Sequence, residues 1–266
     1  MIYLNQLTLF ILVLLNSSLQ AFSLKNVTSW WAGHQEKKFH EEILFESEGT
    51  LTINHTNGAI SIKTWSLPKI VIEAATTGKN ENLQHAPFFL TEESDELLIT
   101  TTQSDDTQKT AVTYEIMVPA HLNIIINAQN SPIKIKRLQG NVAIALEEGT
   151  VDLQDMHGSI DLTISEKGSI AIGSARLIEN DHIIAKTKSG TITIHAPKKL
   201  NTTLYAKTER GMIYSDHVVS LHIRNMKLNK ETWRDIRKEV IGTIGNGTKS
   251  FMKLYTENGN IKLLIY

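Results

Sequence analysis

A five-residue unit, Gly-x-Φ-x-Φ with Φ aliphatic, recurs along this chain of 266 residues and constrains its fold more than any other feature. It reads GTLTI at Gly49, GAISI at Gly58, GNVAI at Gly140, GTVDL at Gly149, GSIDL at Gly158, GSIAI at Gly168, GTITI at Gly190 and GNIKL at Gly259. SPIKI at Ser131 and RGMIYS around Gly211 are degenerate copies. Glycine admits the positive φ or the crowded approach of a tight corner, and the alternation sends two aliphatics to one face of a short strand. One such strand cannot bury its own face, so the copies must stack.

The glycines lie nine residues apart between 49 and 58, 140 and 149, and 149 and 158, then ten apart between 158 and 168, with longer steps of twenty-two to 190 and twenty-one to 211. A half-period near ten and a full period near twenty predict an all-β chain, a right-handed β-solenoid built as a β-helix-like stack of short strands. On this reading Ile160 and Leu162 stand beside Val151 and Leu153, and beside Ile170 and Ile172, in continuous aliphatic columns. A β-sandwich or meander with tight turns is the alternative that alternation alone also fits.

The solenoid repeats are expected over 120–266. Residues 43–119 are less regular: KIVIEAATT, DELLITTT and TYEIMVP read as strands between polar loops, an N-terminal β part closed by Pro119, which cannot donate to a ladder. MKLNKETWRDIRKEV breaks the β pattern, and Trp233, Ile236 and Val240 fall at helical spacing behind Asn229 as cap. A short inserted helix near 228–240 is expected, with its apolar stripe covering the side or end of the stack rather than binding a partner.

Residues 1–23 carry no charged side chain and contain the apolar run Leu7 to Leu15, too short to span a membrane comfortably and suited to the core of a signal peptide. Ala21 and Ser23 supply small residues before a cleavage point, which puts the mature start near Leu24, although the segment lacks the usual Lys or Arg. An uncleaved anchor or a buried strand are the alternatives. No later stretch reaches membrane-span length, so no transmembrane span is expected in the mature chain. Residues 24–42 read as a linker or cap, in which Trp30 and Trp31 close the first coil; stacking on sugars or a membrane interface is the other use of such a pair. Cysteine is absent, which removes disulfides, thiol chemistry and cysteine-held zinc. Net charge is −1, so no overall field favours nucleic acid or an anionic membrane, and no nucleic-acid partner is expected.

The order YEIMVP, NIIINAQNSPIKIKRLQGNVAIALEEGTVDLQDMHGSIDL, SGTITIHAP, TERGMIYS and YTENGNIKLLI resembles the bacterial putative-adhesin family of β-strand repeat proteins, a domain family of unknown function. The likeness runs from about Leu44 to Tyr266. It implies a solenoid-like fold, envelope or surface placement and an adhesive role, and it brings no catalytic residues. The departure is Ser131-Pro132, where one unit would have its glycine.

Between their paired aliphatics the units carry the outward residues Ala143, Asp152, Asp161, Ala171 and Thr193. Stacked strands could bring Asp152 and Asp161 together, with Asp155 near them, as a carbohydrate-active lyase or hydrolase would need. Alanine and threonine fill the rest of that column, so solvated carboxylates are the preferred reading. The ten histidines, His34, His40, His55, His85, His121, His157, His182, His195, His217 and His222, show no ligand spacing, and neither a nucleophile elbow nor a phosphate loop is present. No catalytic, cofactor-binding or metal-binding residue is therefore assigned, and no cofactor is expected. The chain reads as a non-catalytic exported protein, in the periplasm, at the outer surface or outside the cell. It would act as an adhesin, surface-binding or scaffold protein toward an unknown surface ligand, a glycan or an envelope protein. The rivals are a carbohydrate-active enzyme and an envelope-stress accessory protein that partners a membrane sensor.

Overall fold

The computed structural model describes residues 35–45, 48–78, 88–93, 95–101, 111–173, 176–222, 238–247 and 249–266, all within one unit, Gln35–Tyr266. The expected signal segment, Trp30 and Trp31 lie outside the described residues. Every regular element among the described residues is a strand.

The glycine units sit at the corners between two sheets. Strands β1 (Gln35–Leu44), β3 (Ile60–Trp65), β4 (Lys69–Gly78), β7 (Ala111–Pro119), β9 (Ile133–Lys136), β11 (Val151–Gln154), β13 (Ile170–Gly173), β15 (Ile192–Ala196), β17 (Ile213–Ser215) and β21 (Ile261–Ile265) form a ten-stranded sheet, in the order β1-β4-β7-β3-β9-β11-β13-β15-β21-β17. The other sheet takes β2 (Thr50–Asn57), β5 (Phe88–Glu93), β6 (Glu96–Thr101), β8 (Asn123–Asn130), β10 (Val142–Glu148), β12 (Ile160–Lys167), β14 (His182–Ser189), β16 (Thr202–Arg210), β18 (Val219–Leu221), β19 (Glu239–Ile244) and β20 (Phe251–Asn258). Its eleven strands run in the order β18-β19-β16-β20-β14-β12-β10-β8-β2-β6-β5. Both sheets are open. Their interiors are parallel, and antiparallel strands β1, β4 and β5 finish one end while β18 and β19 finish the other.

Successive units alternate between the sheets, which corrects the expected neighbours. Ile160 and Leu162 pair with Val142 and Ile144 on one side and with Ile183 and Ala185 on the other, whereas Val151 and Leu153 pair with Ile170 and Ile172 in the opposite sheet. The hydrogen-bonded neighbour is thus the next unit but one. Eighteen residues separate successive rungs where Asn123 Oδ1 accepts from the Asn141 amide and Asn141 Oδ1 from the Ser159 amide, each at 3.0 Å. The inward direction of the paired aliphatics holds: Val142, Ile144, Ile160, Leu162, Ile170, Ile172, Ile192 and Ile194 are all at most 3% exposed and belong to one core. Burying each such side chain contributes about 1.5–3 kcal/mol.

The corners need glycine for space as well as for φ. Gly149 has φ +137°, and a Cβ on Gly168 would stand 1.8 Å from the Gly149 carbonyl oxygen. At the departure in the repeat, Ser131 fills the corner position that Gly149 faces in the next rung, and its buried hydroxyl has no hydrogen-bond partner. Three buried threonines one column away, Thr187, Thr256 and Thr208, donate to the carbonyls of Gly168, Gly190 and Gly259 at 2.8–3.0 Å and brace the same corners.

The segment before Pro119 joins both sheets directly, since β2 pairs with β8 and β3 with β9. Pro119 ends β7, where the sequence places a strand terminus. Most of the expected helix near 228–240 falls on 223–237, outside the described residues. Its last two positions, Glu239 and Val240, instead open β19, which pairs antiparallel with β16.

The rungs do not follow chain order at the ends. The pair β6/β7 lies outside β2/β3, and the C-terminal pair β20/β21 is inserted between β14/β15 and β16/β17. Edge-to-face contacts zip the sheets together at the first end, from Phe39 to Phe88 at 6.1 Å, Phe88 to Tyr114 at 5.8 Å and Tyr114 to His55 at 5.3 Å.

Candidate binding surface

With the aliphatics turned inward, the chemistry of the molecule lies on two outer faces whose side chains stand in straight rows. On the ten-stranded sheet one row runs Glu115, Ser61, Lys134, Asp152, Ala171, Thr193, Lys262. Asp152 lies 3.3 Å from Lys134 Nζ and accepts from Gln154 Nε2. Asp152, Ala171 and Thr193 therefore do share a column, as expected from the sequence.

Asp161 does not join them. It stands on β12 in the other sheet, level with Ala143, and its Oδ2 lies 3.0 Å from His182 Nε2. The two aspartates face away from each other on opposite sheets, so they cannot share one substrate. Asp155 adopts a positive φ of 55° at the turn after β11.

The densest grouping is on the outer face of the eleven-stranded sheet, across β14, β20 and β16. Register places Ile184, Lys253 and Tyr205 in one row and Lys186, Tyr255 and Lys207 in the next. The Tyr205 phenol donates to Glu239 Oε1 at 3.1 Å and the Tyr255 phenol to Glu209 Oε1 at 2.8 Å. The Glu209 hydrogen bond pushes Tyr255 up to about 12, and burial followed by the Glu239 carboxylate raises Tyr205, so both rings stay neutral donors. Lys253 Nζ sits 5.9 Å from the centre of the Tyr205 ring. In the preceding row the His182 imidazole stacks on Phe251 at 5.2 Å, with 9° between the planes, while Asp161 holds its far nitrogen. Four planar side chains are thus fixed in place on three adjacent strands.

Sequence reasoning missed this grouping because it depends on the late return of the chain. Phe251 and Tyr255 reach His182 and Tyr205 only through the insertion of β20 between β14 and β16. The available signal was the aromatic at outward positions of FMKLYTEN and TTLYAKTER, read by alternation.

The remaining histidines divide by environment. His55 is buried. With Nε2–H donating to the Gly58 carbonyl at 3.2 Å, Nδ1 accepts from the Thr101 hydroxyl at 2.8 Å, and Thr101 accepts from the Tyr114 phenol at 3.0 Å. Burial lowers His55 to about 4 and raises Tyr114 to about 12, so the network is neutral. His217 is buried with its Nε2 unpaired, and burial lowers it as well. His40 approaches Glu42 at 3.5 Å and Glu73 at 3.9 Å on the surface. His34 and His85 lie outside the described residues. Among the described residues no three His, Asp or Glu side chains converge as a metal ion would require.

No family model matches the chain, and no curated protein matches it in sequence. Solved structures do match. The "putative cell adhesion protein" from Clostridium sporogenes is 12% identical with a TM-score of 0.48, over 86% of this chain and 100% of that one. The "putative adhesin" from Bacteroides fragilis is 14% identical with a TM-score of 0.33, over 86% and 97%. One from Parabacteroides distasonis is 14% identical with a TM-score of 0.36, over 85% and 97%. All three of these similar chains are bacterial, the first named a putative cell adhesion protein and the other two putative adhesins.

Proposed function

We propose that this protein is an exported, non-catalytic binding or scaffold protein of the cell envelope, wound as a right-handed two-sheet solenoid, with residues 1–23 as its export signal. The observation that carries the reading is the unbroken row of outward side chains on each open sheet. Ten and eleven strands at about 4.8 Å spacing make faces on the order of 45 Å across. Such a face presents outward side chains at a regular spacing from rung to rung, and affinity then comes from many modest contacts along an extended partner. The separation of Asp152 from Asp161 onto opposite sheets favours binding over hydrolysis at those carboxylates. No helix among the described residues is long and apolar enough to cross a membrane.

Cell fractionation combined with protease added to intact cells tests placement, and sedimentation of the purified chain with isolated envelopes tests binding. The expected result is a chain outside the cytosol that co-sediments with envelopes and releases no reducing or unsaturated sugar ends. Retention in the cytosol, or sugar release lost on replacing Asp152 and Asp161 with alanine, would overturn the reading.

A further inference from the structure

The ring-bearing face over β14, β20 and β16 has the chemistry of a specific site, and we propose that it binds a neutral polysaccharide whose pyranose rings stack on Tyr205, Tyr255 and Phe251. The proposal deepens the binding-protein reading and rests on it.

A sugar ring presents apolar C–H faces bordered by hydroxyls that both donate and accept. It therefore needs flat apolar partners interleaved with charged or polar groups. The face supplies that alternation. Tyr205 is opposite Lys253 in register, and Tyr255 stands between Lys186 and Lys207. Glu239 and Glu209 each use Oε1 to hold a phenol, which leaves each Oε2 without a protein hydrogen bond among the described residues and open to accept from a sugar hydroxyl. The phenol tethers and the Asp161–His182–Phe251 contact fix the rings before any ligand arrives, so little ordering cost falls on binding.

Charge selects the class of polymer. Glu209 and Glu257 act on Tyr255 and Glu239 on Tyr205, in the same rows as Lys186, Lys207 and Lys253, and Asp161 acts on His182 in the preceding row, so the face has no one-signed field to draw a polyanion. A protein partner is disfavoured by the same layout. Phe251 (39% exposed) and Ile241 (42%) are the large exposed apolar side chains here, and Thr203 and Tyr205 stand between them.

The test is affinity electrophoresis of the exported chain through gels containing hydroxyethyl cellulose, xylan, galactomannan or dextran, with alginate and single-stranded poly-dT as anionic probes. We expect retardation by at least one neutral polymer, little change with added salt, and a loss of about tenfold in affinity for the Tyr205→Ala, Tyr255→Ala double variant. The Tyr205→Phe, Tyr255→Phe variant should keep most of the binding, since its rings remain, and a matching melting temperature for all three proteins would show that the face is still folded. Three results would overturn the proposal: no retardation by any neutral polymer, salt-sensitive binding to alginate or poly-dT alone, or full binding by the alanine variant. If the chain still sediments with envelopes in any of these cases, the site assignment fails while the broader reading stands. If it does not, both fall.

Discussion

Burial holds the His55 ring neutral by pushing its protonation from the usual 6.5 down to about 4, and the direction of the pH effect follows from which state takes up the proton. Between those values the unfolded chain binds a proton that the folded chain excludes. This contribution to stability is complete above pH 6.5 and declines as pH falls toward 4, by about 3 kcal/mol in all. Urea midpoints measured across that window should drop for the native chain and drop less for His55→Phe; an equal drop in both would show that some other group is responsible. His55 was readable as an inward residue, because Leu51, Ile53 and His55 share one face of β2 by alternation. Its partner Thr101 was not, since contact between them depends on the pairing of β2 with β6, forty-six residues further along the chain. The bracing hydroxyls of Thr187, Thr256 and Thr208 escaped for a related reason: threonine at an inward strand position looks like weak patterning until its carbonyl partner is known.

Within single strands the alternation is enforced by both neighbours. In β12, Ile160 is sealed between Val142 and Ile183 while Asp161 reaches solvent beside His182. Ile160→Asp should therefore bury an unpaired carboxylate and cost several kcal/mol, and Asp161→Ala should cost under about 1 kcal/mol. Chemical denaturation of the two variants measures this, and comparable losses would mean that β12 presents the opposite face. Strand existence and facing were legible because Gly-x-Φ-x-Φ encodes both. Sheet membership was not, because the same five-residue pattern serves both sheets and nothing in it marks whether a unit turns left or right of its predecessor in space. That ambiguity alone produced the expected meeting of Asp152 and Asp161. At Glu239 and Val240 the helical spacing gave way to a strand because the edge of β16 offers a six-residue antiparallel partner, and tertiary pairing outweighs local periodicity.

Over the whole molecule, the repeat predicted a stack of strands but not the sequence of its rungs. Placement of β20/β21 inside the stack rather than at its end rests on pairings between segments far apart in the chain, which local pattern does not encode. β20 is hydrogen-bonded on both sides, to β14 and to β16, and β21 likewise to β15 and β17. A chain stopped after Ser250 should consequently lose far more than a frayed terminus: limited proteolysis should open the region from about His182 onward, and the cooperative melt should broaden or disappear. Unchanged melting of that truncated chain would contradict the inserted arrangement. A chain that folds from its N-terminus cannot finish such a stack progressively, because the slot between two earlier-formed neighbours stays vacant until β20 and β21 are in place. A copy stopped before β20 is missing an inner rung and leaves the facing edges of β14, β15, β16 and β17 unpaired and open to proteases.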